Sequence, residues 1–232
     1  MRKAGIVKKI MILVMILALP GFLYYLLTVK GKNRYKPLPF FGPKEIANTS
    51  HKIRGKDVPD TIYHKLNNFA LTDQNGNKVS FKNFDKKIFV ASFFFTRCPN
   101  VCSTVNSNLS NLEKVYAKNK MVYFVSITVD PEHDTPAVLK KYADKYDAGN
   151  NWLFLSGDTT TIYNLARKGF LVNALKAGED DFVYSDKLIL IDAEKRIRGY
   201  YSGTSITDMT KLNDEIKVLI AEELRKVDKP LY

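Results

Sequence analysis

Cysteine is nearly absent from this chain of 232 residues, which has 2. That scarcity excludes a small scaffold held by several bridges, and equally a structural zinc site of four thiolates. Internal repeats and low-complexity tracts are missing. No nucleic-acid-binding motif occurs either, although a formal net charge of +12 first suggests a polyanionic partner. Charged side chains are absent from residues 10–29, and no A-x-A-like cleavage site or cysteine for lipid attachment follows that run. What is present is a hydrophobic fraction of 45% with 12% aromatics. That supports a real core and excludes a mainly disordered or collagen-like chain. The length fits one domain with appendages better than two full domains.

The position of the charge decides its meaning. Up to Lys65 there are 13 Lys+Arg and 3 Asp+Glu, a net +10, which leaves +2 for the rest. Residues 10–29, IMILVMILALPGFLYYLLTV, are about as long as a bilayer core is thick when helical. Pro20 and Gly21 are tolerated in such a span. The reading is an uncleaved transmembrane anchor over residues 10–29 after a basic tail over 1–9, with anionic headgroups as counter-charge. Arg2, Lys3, Lys8 and Lys9 before the run are matched by Lys30, Lys32, Arg34 and Lys36 after it. Orientation therefore rests on the usual arrangement for a leading span, with the C-terminal domain outside. Residues 30–65, basic and interrupted by Pro37, Pro39, Pro43 and Pro59, read as a tether.

The domain is expected over 66–227, with 228–232 as a tail. FALTDQNGNKVSF alternates around Asn75-Gly76, a hairpin signal. The apolar runs 88–95 and 121–129 read as buried strands, and 152–157 begins a third unit. Residues 98–118 read as a helix, with Val101, Val105, Leu109, Leu112 and Tyr116 on one face. A second helix opens at Asp134-Thr135-Pro136, and another runs from Asp158 or Thr159 to Lys168. Two strands, 187–192 and 196–201, flank a turn, and a closing amphipathic helix covers 208–227. This order implies an α/β sandwich with a mixed sheet, parallel at its centre and antiparallel at its edge.

Both cysteines fall in Cys98-Pro99-Asn100-Val101-Cys102, at the junction of the first core strand and the first helix. Ligand chemistry in open α/β sheets collects at such strand ends. A helix N-terminus and Arg97 both favour thiolate at Cys98. Placed one helical turn apart, the two sulfurs can form a disulfide or clasp a soft ion such as Cu(I). A static structural disulfide, or two buried apolar cysteines, is the other reading.

FFFTRCPNVC, SITVDPEHDTP, FLSGDTTTIYNLARKGF and RIRGYYSGT together resemble the Sco (SenC-type) family over roughly residues 60–224. The resemblance implies a membrane-anchored, thioredoxin-like protein that helps to assemble the copper centre of cytochrome c oxidase. Cys98 and Cys102 take the positions of the family's copper-binding thiolates. Two positions depart from its pattern: Ser103 stands where a proline usually follows the second cysteine, and Tyr184 stands where the third ligand, a histidine, is expected. A phenol is a poor donor for Cu(I), so the site favours Cu(I) on two sulfurs, or dithiol chemistry alone, over a stable Cu(II) state. His133, where the family usually has arginine, is a substitute ligand to be tested; His51 and His64 belong to the tether or its boundary. Met121 and Met209 read as packing residues.

Three functions follow. The first is a Sco-like assembly factor for cytochrome c oxidase, acting on the oxidase copper-site subunit by Cu(I) transfer, thiol–disulfide exchange, or both. It would sit in the cytoplasmic membrane with its domain in the periplasm or outside the cell. The second is a general extracytoplasmic thiol–disulfide oxidoreductase, although Cys-x-x-Cys would suit that better. The third is a copper-incompetent binding module with a fixed disulfide. A thiol peroxidase is disfavoured because Phe95 holds the place of its usual threonine.

Overall fold

The computed structural model describes residues 2–26, 37–53, 55–98, 101–176 and 182–227. They divide into two units, Met1–Lys36 and Pro37–Tyr232. In the first, helix α1 (Arg2–Tyr25) contains Pro20. Its large apolar side chains from Met11 to Tyr25, such as Met15 and Leu17, are exposed. Among the described residues no helix is long and apolar enough to cross a membrane. The uncharged part of α1, from Ile10 to Tyr25, rises about 24 Å, against about 30 Å for a bilayer core. The end of the expected span, residues 27–29, lies outside the described residues.

In the second unit, the segment expected as a tether differs from that reading. Strands β1 (Lys44–Ile53) and β2 (Lys56–Tyr63) pair antiparallel as a separate hairpin. Ile46, Thr49, Val58, Thr61 and Ile62 supply β-branched residues, and Gly55 takes the positive φ of 81° needed near the turn. Pro59 is tolerated because each strand of a two-stranded sheet is an edge. Prolines and basic residues had masked this pattern.

The main sheet begins with β3 (Leu71–Asp73) and β4 (Lys78–Val79). Between them Gly76 has φ 84°, and the Asp73 carboxylate accepts from the Asn75 and Asn77 amides, each at 2.8 Å. Next come β5 (Ile88–Phe94), α2 (Val101–Tyr116), β6 (Val122–Thr128) and α3 (Pro136–Lys145). After β7 (Trp152–Ser156), the Asp158 side chain caps α4 (Thr159–Asn164), which continues as a π-helical turn, Leu165–Gly169. Short strands β8 (Ala174–Lys176) and β9 (Phe182–Tyr184), not foreseen from the sequence, pair with each other. The chain closes with β10 (Lys187–Ile191), β11 (Ile197–Ser202) and α5 (Ile206–Val227).

The seven strands lie in the order β11-β10-β5-β6-β7-β3-β4. Only β5-β6-β7 pair in parallel, so the sheet is mixed with a parallel centre, as the strand–helix alternation implies. Every residue of β5 is buried because layers cover both faces. Ile88, Val90 and Phe94 meet Leu109 of α2, Leu139 of α3 and Leu212 of α5. Phe89, Ala91 and Phe93 meet Ile162, Ala166 and Phe170 on the other side.

A buried arginine ties the entry segment to this sandwich. Arg198 of β11 is 1% exposed and donates through Nη2 to the Leu38 carbonyl (2.7 Å) and Glu222 Oε2 (2.8 Å). Its Nε reaches the Pro39 carbonyl at 3.2 Å, and Nη1 reaches Asp192 Oδ2 at 3.3 Å. The Leu38 amide donates to Glu222 Oε1 at 2.8 Å. Phe40 lies over both guanidinium groups, 4.5 Å from Arg196 and 4.3 Å from Arg198. Removing one partner of a buried ion pair leaves the other uncompensated. Arg198→Leu is therefore expected to cost roughly 3–5 kcal/mol in urea unfolding. Hydrogen exchange should show the Leu38 amide losing its protection in the same variant.

Candidate functional site at the cysteine pair

Strand β5 delivers Cys98 to the carboxyl end of the parallel sheet, and Cys102 lies in the first turn of α2. The expected helix over 98–118 is shorter than that: Cys98 precedes it, and its amide donates to the Phe95 carbonyl at 3.1 Å. Residues 99 and 100 lie outside the described residues. The two sulfurs are joined in a disulfide with Cα atoms 5.9 Å apart. Cys102 is 2% exposed, whereas Cys98 is half-buried and packs against both core faces. Cys102 is thus the shielded residue of the pair and Cys98 the more exposed one.

Two aspartates hold the turn that carries Cys98. Asp134 is fully buried and accepts from the Thr96 amide (3.1 Å), the Thr96 hydroxyl and the Thr128 hydroxyl. Sequence places it in the cap region of α3; the N-cap is Thr135, which makes no side-chain cap bond, and Asp134 turns inward. Burial pushes its carboxyl above the ordinary range, an effect that the threonine donors offset in part and the nearby Asp130 charge reinforces. At Asp130, burial also pushes upward, but hydrogen bonds from His133 and Arg97 outweigh it and hold the carboxyl low.

Arg97 and His133 meet at Asp130. Arg97 Nη2 lies 2.9 Å from Asp130 Oδ2, so its charge is matched by a buried carboxylate beside the cysteine turn. His133 Nδ1 lies 2.9 Å from Asp130 Oδ1 and 3.0 Å from Arg97 Nη2. A guanidinium only donates and a carboxylate only accepts, so one ring nitrogen satisfies one of them at a time. Both contacts use Nδ1, and Nε2 is the nitrogen through which a substitute ligand at His133 would act. His51 pairs with Asp60 on the β1–β2 hairpin, and His64 Nε2 donates to the Gly169 carbonyl at 2.7 Å. Met209 packs against the core. Among the described residues the single group of three or more metal-type side chains is Asp192, Glu194 and Glu223, already paired with Arg196, Arg198 and Lys226.

The Tyr184 position reaches the same edge as the cysteines. Ile189 pairs with Ala91 in antiparallel register, so the start of β10 lies beside the end of β5. Tyr184 ends β9, three residues before β10, and pairs through its backbone with Ala174. The next residues, Ser185, Asp186 and Lys187, wall a small cavity together with Cys102 and Asn106. Sequence reading missed Asn106 and the inward turn of Asp134. The available signals were an amide on the apolar stripe of α2 and a second aspartate four residues after Asp130.

A model of the SCO1/SenC family matches residues 60–221. The chain belongs to that family. Among solved structures, the SCO1/SenC family lipoprotein of Bacillus anthracis is 30% identical with a TM-score of 0.64, covering 68% of this chain and 95% of its own. BsSco, described with a disulfide switch as a member of the Sco family of cytochrome c oxidase assembly proteins, is 28% identical with a TM-score of 0.61 (67% and 93% covered). Copper-bound ScoI of Bradyrhizobium japonicum is 28% identical with a TM-score of 0.58 (67% and 99% covered). These likenesses support the thioredoxin-like mixed-sheet fold of the SCO1/SenC domain.

The raised pKa of Asp134 has a definite sign. Its stabilising contribution is complete below the unfolded value of 3.8 and is lost as pH rises through the higher folded value. Asp134→Asn keeps one acceptor and sets an amine against the other donors, so it should melt lower at pH 4. Thermal melts at pH values rising from 4 should show the wild-type advantage narrowing as pH increases.

Proposed function

We propose that this SCO1/SenC chain is a membrane-anchored assembly factor for cytochrome c oxidase. The Cys98–Cys102 pair would serve Cu(I) transfer, thiol–disulfide exchange, or both, at the oxidase copper-site subunit. The observation that carries this reading is the pair itself, at the carboxyl end of β5 with Cys102 shielded and Cys98 more exposed. An exchange site needs such asymmetry: one sulfur meets the partner, and its neighbour resolves the mixed disulfide. The copper-bound and disulfide-switch descriptions of similar structures support the two halves of the proposal.

Copper here is cargo. The reduced pair offers two soft donors, which suit Cu(I). With tyrosine at position 184, the histidine expected there as a third donor for Cu(II) is missing. Anchoring rests on α1, whose exposed apolar side chains are followed in the sequence by further uncharged residues up to Val29. The Bacillus anthracis relative is described as a lipoprotein, but both cysteines of this chain are at the disulfide. A helical anchor in the cytoplasmic membrane, with the domain on the oxidising side, accounts for the basic flanks and for the disulfide.

Competition against a mild Cu(I) chelator tests the metal half. Reduced wild type should retain one Cu(I), and both Cys98→Ala and Cys102→Ala should lose it. If wild type releases Cu(I) equally, copper transfer is excluded while exchange with an oxidase-subunit thiol remains measurable. Tyr184→His should strengthen Cu(II) binding, seen as a new sulfur-to-copper charge-transfer band.

A further inference from the structure

The cavity beside Cys102 has a volume of about 10 Å³, room for roughly one water molecule. Ser92, Phe94, Cys102, Asn106, Ser185 and Asp186 contribute to its wall. Asn106 follows Cys102 by one turn of α2, so both side chains lie on the same helix face. It is fully buried. Its Nδ2 donates to the Tyr142 hydroxyl at 3.0 Å, which orients the amide. Its Oδ1 is buried without a hydrogen-bond partner.

The serine and aspartate side chains on the wall are engaged. Ser92 Oγ bonds Ser126 Oγ at 2.9 Å, Asp186 Oδ2 accepts from Ser202 Oγ at 2.7 Å, and Ser185 Oγ accepts from the Lys187 amide at 3.2 Å. A buried carbonyl left without a donor is costly, and native folds rarely carry one without a reason. The oxidation state of the neighbouring pair supplies a reason. A disulfide sulfur has no hydrogen to give. When a dithiol reduces the pair, the Cys98–Cys102 S–S bond breaks and each sulfur gains an electron and a proton. The two thiols of the reductant lose these and form their own S–S bond. Cys102 then becomes a buried S–H donor one turn from an acceptor that lacks one, with space beside it for the sulfur to move.

We propose that Asn106 is a positioning residue whose Oδ1 accepts the Cys102 S–H in the reduced state. This inference rests on the reading that the pair is redox-active. The disulfide gives Oδ1 no donor, whereas the S–H···O bond stabilises the dithiol, so the site is biased toward reduction. The bond also holds Cys102 down as the thiol of the shielded partner, leaving Cys98 as the sulfur that meets an incoming protein.

Equilibration of the full chain in detergent with oxidised and reduced dithiothreitol tests the bias. Asn106→Leu removes the acceptor and supplies an apolar side chain of similar size. The variant should favour the disulfide about fivefold over wild type, a shift of about 20 mV to more negative potential for a two-electron couple. A second measurement does not depend on the disulfide or on how Asn106→Leu folds. In Cys98→Ala the one remaining thiol is Cys102, and its S–H infrared stretch should lie below that of a simple thiol in hexane. An unshifted stretch, or an unchanged potential in a folded Asn106→Leu, overturns the proposal. A wild-type pair that resists dithiothreitol altogether would refute the redox reading under Proposed function, and the S–H stretch would still decide the role of Asn106.

Discussion

Asp134 sits where two strand ends of the parallel sheet meet, and it accepts three hydrogen bonds there from Thr96 and Thr128. Thr128 is the last residue of β6, and Thr96 lies just past β5, two positions before Cys98. One side chain therefore joins the end of one strand to the turn that presents the cysteine. A carboxyl group suits this place because the Thr96 and Thr128 groups bonded to it all donate and each of its oxygens can accept more than once. The cost is burial of an acid, visible in its raised pKa.

Asp130 adds a second tie of the opposite electrostatic kind. It is buried as well, but His133 and Arg97 compensate it, and its carboxyl is held low. The same ties fix where the neighbouring side chains are held. Arg97 and His133, both attractive in the sequence as modulators or ligands of the site, are drawn into pairing with Asp130.

Much of this fold was legible because its signals are local. The uninterrupted apolar run 88–95 could be satisfied only by a strand covered on both faces, and β5 is that strand. Asn75-Gly76 gave the tight turn its left-handed residue, and Asp158 capped the following helix as its position suggested. The misses arose where local signals conflicted or depended on distant partners. Prolines and lysines between 37 and 65 concealed the alternation of the β1–β2 hairpin. Asp134, next to Thr135-Pro136, had the appearance of a helix cap until the threonines of two other segments claimed it.

The sequence by itself determined the order of the main-sheet strands and the helices between them, the location of both cysteines at a strand–helix junction, and the separation of a basic leader from a nearly neutral domain. These follow from periodicity, spacing and charge, which are properties of neighbours along the chain. Tertiary structure alone decided which sulfur is shielded, that Arg97 and His133 are held by Asp130, and that Asn106 is buried with an unpaired oxygen at the wall it shares with Cys102. Arg97 meets Asp130 across 33 positions and Asn106 meets Tyr142 across 36, and no local pattern encodes which of them will meet.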